Sequence, residues 1–160
     1  MKLLVFSDSH SDTRKMKEAI DMHARTCDGV VFLGDGLRDA EYLKDNYMDI
    51  PFFCVKGNCD FFAKDAENER VLYFDGFKIL ITHGHAYGVK GGIGNLLYRA
   101  RELEADAVFF GHTHVPCEES IEIAGKRIQL FNPGSIGHGG SFGVVNTSGK
   151  VLVLSHGKIL

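Results

Sequence analysis

The chain reads as an α/β protein, a four-layer α/β/β/α sandwich of two mixed sheets. Three observations lead there. Over the first third, short apolar runs alternate with amphipathic segments, the βαβαβ pattern of a parallel sheet with crossover helices. Further on, the turn signals Asp75-Gly76, Ala124-Gly125-Lys126 and Thr147-Ser148-Gly149-Lys150 join strand directly to strand. Two sheets packed face to face with the helices outside would bury these strands.

Lys2–Phe6 is an apolar run and a buried strand, ending in Ser7-Asp8-Ser9-His10. Asp12 can cap the following helix, on which Met16, Ala19, Ile20, His23 and Ala24 share a face. Gly29–Leu33 is the second strand and ends in Gly34-Asp35-Gly36. A helix with Leu37, Ala40 and Leu43 inward finishes near Asn46. Ile50–Val55, entered through Pro51, is the third strand and ends in Gly57-Asn58-Cys59-Asp60. Val71–Phe74 and Phe77–Thr82 form a hairpin, and the second strand runs into His83-Gly84-His85. The Gly-rich segment Gly88 to Gly94 leads to a helix with Ile93, Leu96, Leu97, Ala100 and Leu103 on one face. Ala107–Phe110 is a buried strand ending in Gly111-His112-Thr113-His114. Ile121–Ile123 pairs with Arg127–Leu130, Asn132-Pro133-Gly134-Ser135 is a turn, and Phe142–Asn146 pairs with Val151–Ser155. Lys158–Leu160 is expected to add a last edge strand. No linker, repeat or low-complexity tract interrupts the chain, so residues 1–160 are read as one domain.

The composition excludes several classes. The 18 basic and 21 acidic residues give a formal charge of −3, with no basic run interleaved with aromatics. That removes the electrostatic case for a nucleic-acid-coating or membrane-surface protein. Cys27, Cys54, Cys59 and Cys117 show no CxxC spacing, and no secretory leader or membrane span is recognisable. Four reduced thiols in a cytoplasmic protein are expected. Glycine is abundant, 19 of 160, and often follows an apolar run. Such placement suits loops where backbone approaches something closely.

Five strand ends carry candidate ligands: Asp8 and His10, Asp35, Asn58, His83, and His112 with His114. Parallel strands bring such ends together, and open α/β sheets bind ligands outside their carboxyl ends. Carboxylate, amide oxygen and imidazole together suit manganese, iron or zinc better than calcium. Seven ligating side chains exceed the needs of one tetrahedral ion and suffice for two. Asp35 has two oxygens and stands alone on its loop, so it is the natural bridge between two dications that would otherwise repel.

Asp8-Ser9-His10, Gly34-Asp35, Gly57-Asn58, His83-Gly84 and Gly111-His112-Thr113-His114 occur in the order and context of the calcineurin-like metallophosphoesterases. The chain is similar to their smallest branch, the YfcE-like phosphodiesterases, from Met1 to about Ser135. The resemblance implies the sandwich fold and one metal on Asp8, His10, Asp35 and His114. It implies a second on Asp35, Asn58, His83 and His112. It implies phosphoester hydrolysis supported by divalent metal, manganese first, with nickel, zinc, iron(II) or magnesium as alternatives. In the physical reading beside it, two metals lower the pKa of a shared water, and the hydroxide attacks phosphorus in line. Asn58 would ligate through its carbonyl oxygen, leaving its NH2 free to donate. Larger family members carry a His after the Asn to help protonate the leaving oxygen. Here that residue is Cys59, which leaves the proton donor open between Cys59, His85 and a leaving group that needs none.

Several residues keep two readings. His85 serves substrate or is merely exposed. Asp60 accepts from a ligating His or belongs to the loop. Arg99 and Arg101 are solvated, or one contacts phosphate. His138 and His156 have no nameable partner. The substrate is expected to be a small phosphoester, and exposed hairpin edges leave room for a homodimer. The competing reading is a non-catalytic interaction scaffold on the same fold, as in the small subunit of retromer. Such scaffolds lose part of the ligand set, which is intact here.

Overall fold

In the computed structural model, which describes residues Met1–Leu160, ten strands and four helices follow one another along the chain. Strands β1 (Lys2–Phe6), β2 (Gly29–Phe32) and β3 (Phe52–Cys54) are parallel. They alternate with helices α1 (Thr13–His23) and α2 (Leu37–Asn46). Asp12 caps α1 by accepting from the Arg14 amide at 3.1 Å, as expected of an Asp before an apolar periodic run. The hairpin β4 (Glu69–Phe74) and β5 (Phe77–Thr82) then opens a second sheet. A 3-10 turn at His85–Tyr87, helix α3 (Gly94–Glu102), β6 (Ala107–Phe110), β7 (Cys117–Ile123) and β8 (Lys126–Asn132) follow. A four-residue helix α4 (Ile136–Gly139) precedes the closing hairpin β9 (Ser141–Ser148) and β10 (Val151–Lys158).

The first sheet has the order β10-β9-β1-β2-β3 and the second β4-β5-β6-β8-β7. Each is mixed. β1, β2 and β3 are parallel in one, with antiparallel-paired β9 and β10 on the β1 side, and β5, β6 and β8 are parallel in the other, with antiparallel β4 and β7 at its edges.

The pleat sorts side chains into three cores. Along β1, Leu3 and Val5 point to the space between the sheets, while Leu4 and Phe6 point to the helical side. The inner core joins them to Val31, Leu33, Ile79, Ile81, Phe109 and Phe131. An outer core packs Met16, Ala19 and Ile20 of α1 and Leu37, Ala40 and Leu43 of α2 on the first sheet. A third packs Leu96, Leu97 and Ala100 of α3 on the second. Strands buried on both faces explain why their sequences are continuous apolar runs rather than alternating ones. These layers make the expected α/β/β/α sandwich.

Three local expectations need correction. Ile50, Pro51 and Val55 lie outside β3, which pairs with β2 only over Phe52–Cys54. No separate strand forms at Lys158–Leu160. Lys158 ends β10 opposite Ser141, and the Ile159 amide instead donates to the Gly140 carbonyl at 2.8 Å. The turn at Asn132–Ser135 continues into α4, because Ser135 caps it by accepting from the His138 amide at 3.0 Å. No helix is long and apolar enough to cross a membrane.

Candidate metal centre

The five predicted strand ends meet at one edge of the sandwich. β1, β2 and β3 deliver Asp8, His10, Asp35 and Asn58 from the first sheet. β5 and β6 deliver His83, His112 and His114 from the second. Backbone bonds join neighbouring loops: Asp8 N–H to Gly34 O at 2.9 Å, His10 N–H to Asp35 O at 3.2 Å and Gly111 N–H to His83 O at 3.1 Å. The loops also approach closely. A Cβ on Gly57 would lie 2.1 Å from Asp35 Oδ1, and one on Gly34, at φ +96°, would lie 2.4 Å from the Gly57 nitrogen. Only glycine fits either place.

Asp8, His10, Ser11, Asp35, His112 and His114 all hold left-handed φ, between +46° and +72°. Elsewhere only Asp75, Glu104 and Ala124 do so among non-glycine residues. Such strain costs about 1–3 kcal/mol per residue and persists only where the surroundings enforce it, typically at functional sites.

The donor atoms are aimed at one another. Asp8 is fully buried. Its Oδ2 accepts from the Ser7 hydroxyl at 2.6 Å and the His112 amide at 3.1 Å. Its Oδ1 lies 3.1 Å from His114 Nε2, 3.8 Å from His10 Nε2 and 3.9 Å from His83 Nε2. The His10 and His114 Nε2 atoms are 3.4 Å apart. On the other side, His83 Nε2 is 3.1 Å from Asn58 Oδ1, 3.2 Å from His112 Nδ1 and 3.4 Å from Asp35 Oδ2. Asp35 stands between. Its ligand atom groups within 4.8 Å with those of His10 and Cys59, and likewise with those of His83 and His112.

His83 tests whether a cation fits. Its Nδ1 is 2.7 Å from the Leu33 carbonyl, an acceptor only, so Nδ1 carries the proton and donates. The Nε2 lone pair of the neutral ring then faces the Asn58 and Asp35 oxygens, acceptor against acceptor. Either a second proton on His83 or a cation resolves this. Burial alone pushes His83 down, but hydrogen bonding to Asp35 and the charges of Asp8 and Asp35 outweigh it and hold its pKa above the ordinary value. Burial likewise pushes Asp35 up. Its hydrogen bonds from His83 and from the Cys59 amide, the latter at 2.7 Å, override this and hold it well below the usual carboxylate range. His112 and His85 are shifted down, first by burial and then by the nearby His83 charge. The residues present fit divalent cations.

The calcineurin-like phosphoesterase superfamily domain profile matches residues 1–154. The chain belongs to this superfamily. It is 38% identical over 136 residues to the probable metallophosphoesterase YsnB of Bacillus subtilis (strain 168), covering 85% of this chain and 75% of that one. It is 27% identical over 175 residues to phosphodiesterase YfcE of Escherichia coli (strain K12), covering 91% and 88%. A predicted phosphoesterase from Streptococcus pneumoniae TIGR4 superposes with a TM-score of 0.80 at 29% identity, over 98% of this chain and 88% of that one. Zinc-complexed Vps29 from Entamoeba histolytica, at 22% identity, TM-score 0.73 and 99% coverage of both chains, shares the fold alone. Membership places the chain among phosphoesterase hydrolases.

The residues that keep two readings in the sequence have the following surroundings. Asp60 accepts from no histidine. Its buried carboxylate takes four backbone N–H groups, Asp35 at 2.9 Å and Gly57 at 2.8 Å on Oδ2, Gly36 at 3.0 Å and Leu37 at 2.9 Å on Oδ1. It thereby caps α2, whose own first residues offer no side-chain cap, and ties the Asp35 loop to the Asn58 loop. Arg99 is held by Glu69 at 2.7 Å and Glu102 at 3.3 Å. His85 stays near the centre, its ring 5.4 Å from that of His83, with Nδ1 buried and unpartnered. Cys59 is exposed beside Asp35, and burial, then Asp35, pushes its thiol pKa up.

Two contributors were missed. Fully buried Asn132 donates at 3.0 Å to both the Gly111 carbonyl and the Thr113 hydroxyl, and so shapes the loop that carries His112 and His114. His138 of α4 lies 5.1 Å from the His10 ring and 5.2 Å from the His114 ring, and its ligand atom groups with theirs. The Asn-Pro-Gly-Ser turn was the available signal, since it returns the chain toward Asp8. The Ser135 hydroxyl donates to the Asp8 carbonyl at 2.8 Å.

Proposed function

We propose that this protein is a dinuclear-metal-dependent phosphodiesterase. The observation that carries it is the His83 Nε2 lone pair, fixed by the Leu33 carbonyl and turned on the oxygens of Asn58 and Asp35. Asp8, His10, Asp35 and His114 would hold one cation, and Asp35, Asn58, His83 and His112 the other. Manganese, iron or zinc suits this oxygen and nitrogen set, and the family resemblance puts manganese first. Bound there, a cation pair supplies hydroxide near neutral pH and neutralises charge on phosphoryl oxygens.

The chain's own groups do the rest. Ser7 and the His112 amide occupy Asp8 Oδ2, which leaves Oδ1 free to ligate. The Cys59 amide fixes Asp35 Oδ1 in the same way, and Asp60 fixes the backbone beneath. The Asn58 NH2, which reaches only Cys59 Sγ at 3.5 Å, is available to a phosphoryl oxygen. His85, beside His83 and with its pKa held down by burial, can offer a ring N–H as a hydrogen-bond donor to a leaving oxygen. The diester reading is supported by the likeness to phosphodiesterase YfcE. The cytoplasmic reading is supported by four free cysteines. The intact donor set weighs against a scaffold. Purified protein, stripped with chelator, should regain turnover of a bis-aryl phosphate when manganese is restored. Metal uptake with no turnover of any diester or monoester would refute the enzyme reading.

A further inference from the structure

From the metal centre a pocket of about 310 Å³ runs outward, past His10, Asp35 and Cys59 to Arg38 and Phe62. Arg38 differs from the arginines that pair with acids. Arg14 meets Glu18, Arg70 meets Glu67 and Arg99 meets Glu69, whereas Arg38, like Arg25, Arg101 and Arg127, has no ion pair or side-chain hydrogen bond, and of these four it is the one that lines this pocket. Its guanidinium carbon instead sits 3.8 Å above the centroid of the Phe62 ring. Asp39, the acid nearest in sequence, is already engaged by the Ser9 hydroxyl at 2.5 Å and the Ser11 amide at 2.9 Å. Phe62 is 44% exposed, and neighbouring Phe61 is 83% exposed.

The depression on the other side of this loop, about 420 Å³ and lined by Asn58 and His85, offers no equivalent. Its Lys56 ammonium already donates to the Ala63 and Lys64 carbonyls. A guanidinium with one face on a ring, no hydrogen-bond partner and a metal centre at the pocket floor is a prepared stacking surface. The group that uses it is planar and π-rich, joined to a phosphoryl group that reaches the centre.

We propose that Arg38 and Phe62 form a subsite that stacks a planar aromatic arm of the phosphoester, a nucleobase or aryl group, on the free face of the guanidinium. This rests on the phosphoesterase reading for the phosphoryl group and adds the class of its organic arm. Arg38 stacks, and Phe62 positions it.

The test is calorimetric binding to the manganese-loaded protein, which needs no turnover. The probes are AMP, ribose 5-phosphate and inorganic phosphate. AMP and ribose 5-phosphate share the phosphoryl group and sugar, so their difference reports the base. Stacking on such a surface should tighten AMP by roughly tenfold over ribose 5-phosphate. That preference should vanish in Arg38→Ala and fall in Phe62→Ala, with phosphate affinity and metal content unchanged. Phe62→Tyr, which keeps a ring, should restore it. Equal affinities for AMP and ribose 5-phosphate in the parent protein would overturn the subsite, as would a preference surviving Arg38→Ala. Equal weakening of all three probes in Arg38→Ala would also overturn it, since that reports charge rather than stacking. Failure of all three probes to bind would instead count against the phosphoesterase reading itself, a result separable from the others.

Discussion

Asp60 is the residue whose loss should reveal most about how the site is held. Its carboxylate is 4% exposed and accepts four backbone N–H groups from two loops. Each bond to a charged acceptor is worth about 1.5–3 kcal/mol. The four do not add, because the loops can relax and Gly36 is near solvent. Stripping the acceptor from a buried cluster of this kind costs about 3–5 kcal/mol, which is the expectation for Asp60→Ala. Asp60→Asn removes the cavity from consideration. It keeps one oxygen for two donors and sets an NH2 against the other two, so it should cost about half as much. With a urea slope of about 2 kcal/mol/M, Asp60→Ala should lower the unfolding midpoint by about 2 M. Because the Asp35 amide is one of the four donors, metal affinity should fall in both variants. A midpoint within 0.5 M of the parent, on the order of 1 kcal/mol, together with full metal content, would refute the role assigned to Asp60.

Asp35→Asn removes the shared charge while keeping the shape. It should lower turnover by at least about a hundredfold, with far-UV circular dichroism unchanged; near-parent rates would contradict the bridge. Gly57→Ala drives a methyl to within 2.1 Å of Asp35 Oδ1, so it should destabilise by about 1–3 kcal/mol and weaken metal binding, as denaturation and metal analysis would register. In metal-free protein, the raised His83 gives stability that is complete below about pH 6.5 and fades as pH climbs through its folded value. The depressed Asp35 gives stability complete above about pH 4 and lost as pH falls further. This pair therefore favours the fold most between about pH 4 and 6.5. Metal competes with the His83 proton, so metal affinity should weaken as pH drops through the raised value. Metal affinity that stays flat between about pH 8 and 6 would count against His83 as a ligand.

The candidate metal-ligating residues could be picked out because each follows an apolar run that forms a strand. Parallel pairing of those strands then made their ends converge. Leu3 and Leu4 point into different cores, and that two-sided burial is what made the runs continuous and easy to find. The supporting residues were not legible in the same way. Asp60 acts on backbone N–H groups more than twenty residues away, and no side-chain pattern records that. Asn132 and Ser135 look like turn formers in sequence, and they are, yet they also brace the loops of His112 and Asp8. His138 reaches the site only because Ser135 starts a helix too short to leave a periodic signature. The Arg38–Phe62 stack joins residues whose relation depends on how the Asn58 loop folds over α2.

The most direct measurement is metal content against turnover on one preparation. Protein stripped with chelator is titrated with manganese while bound metal and bis-aryl phosphate hydrolysis are followed together. Activity should rise with occupancy and reach its plateau at two ions per chain. Full activity in the stripped protein, or a plateau with no ion bound, would contradict a hydrolytic centre built from Asp8, Asp35, Asn58 and the four histidines.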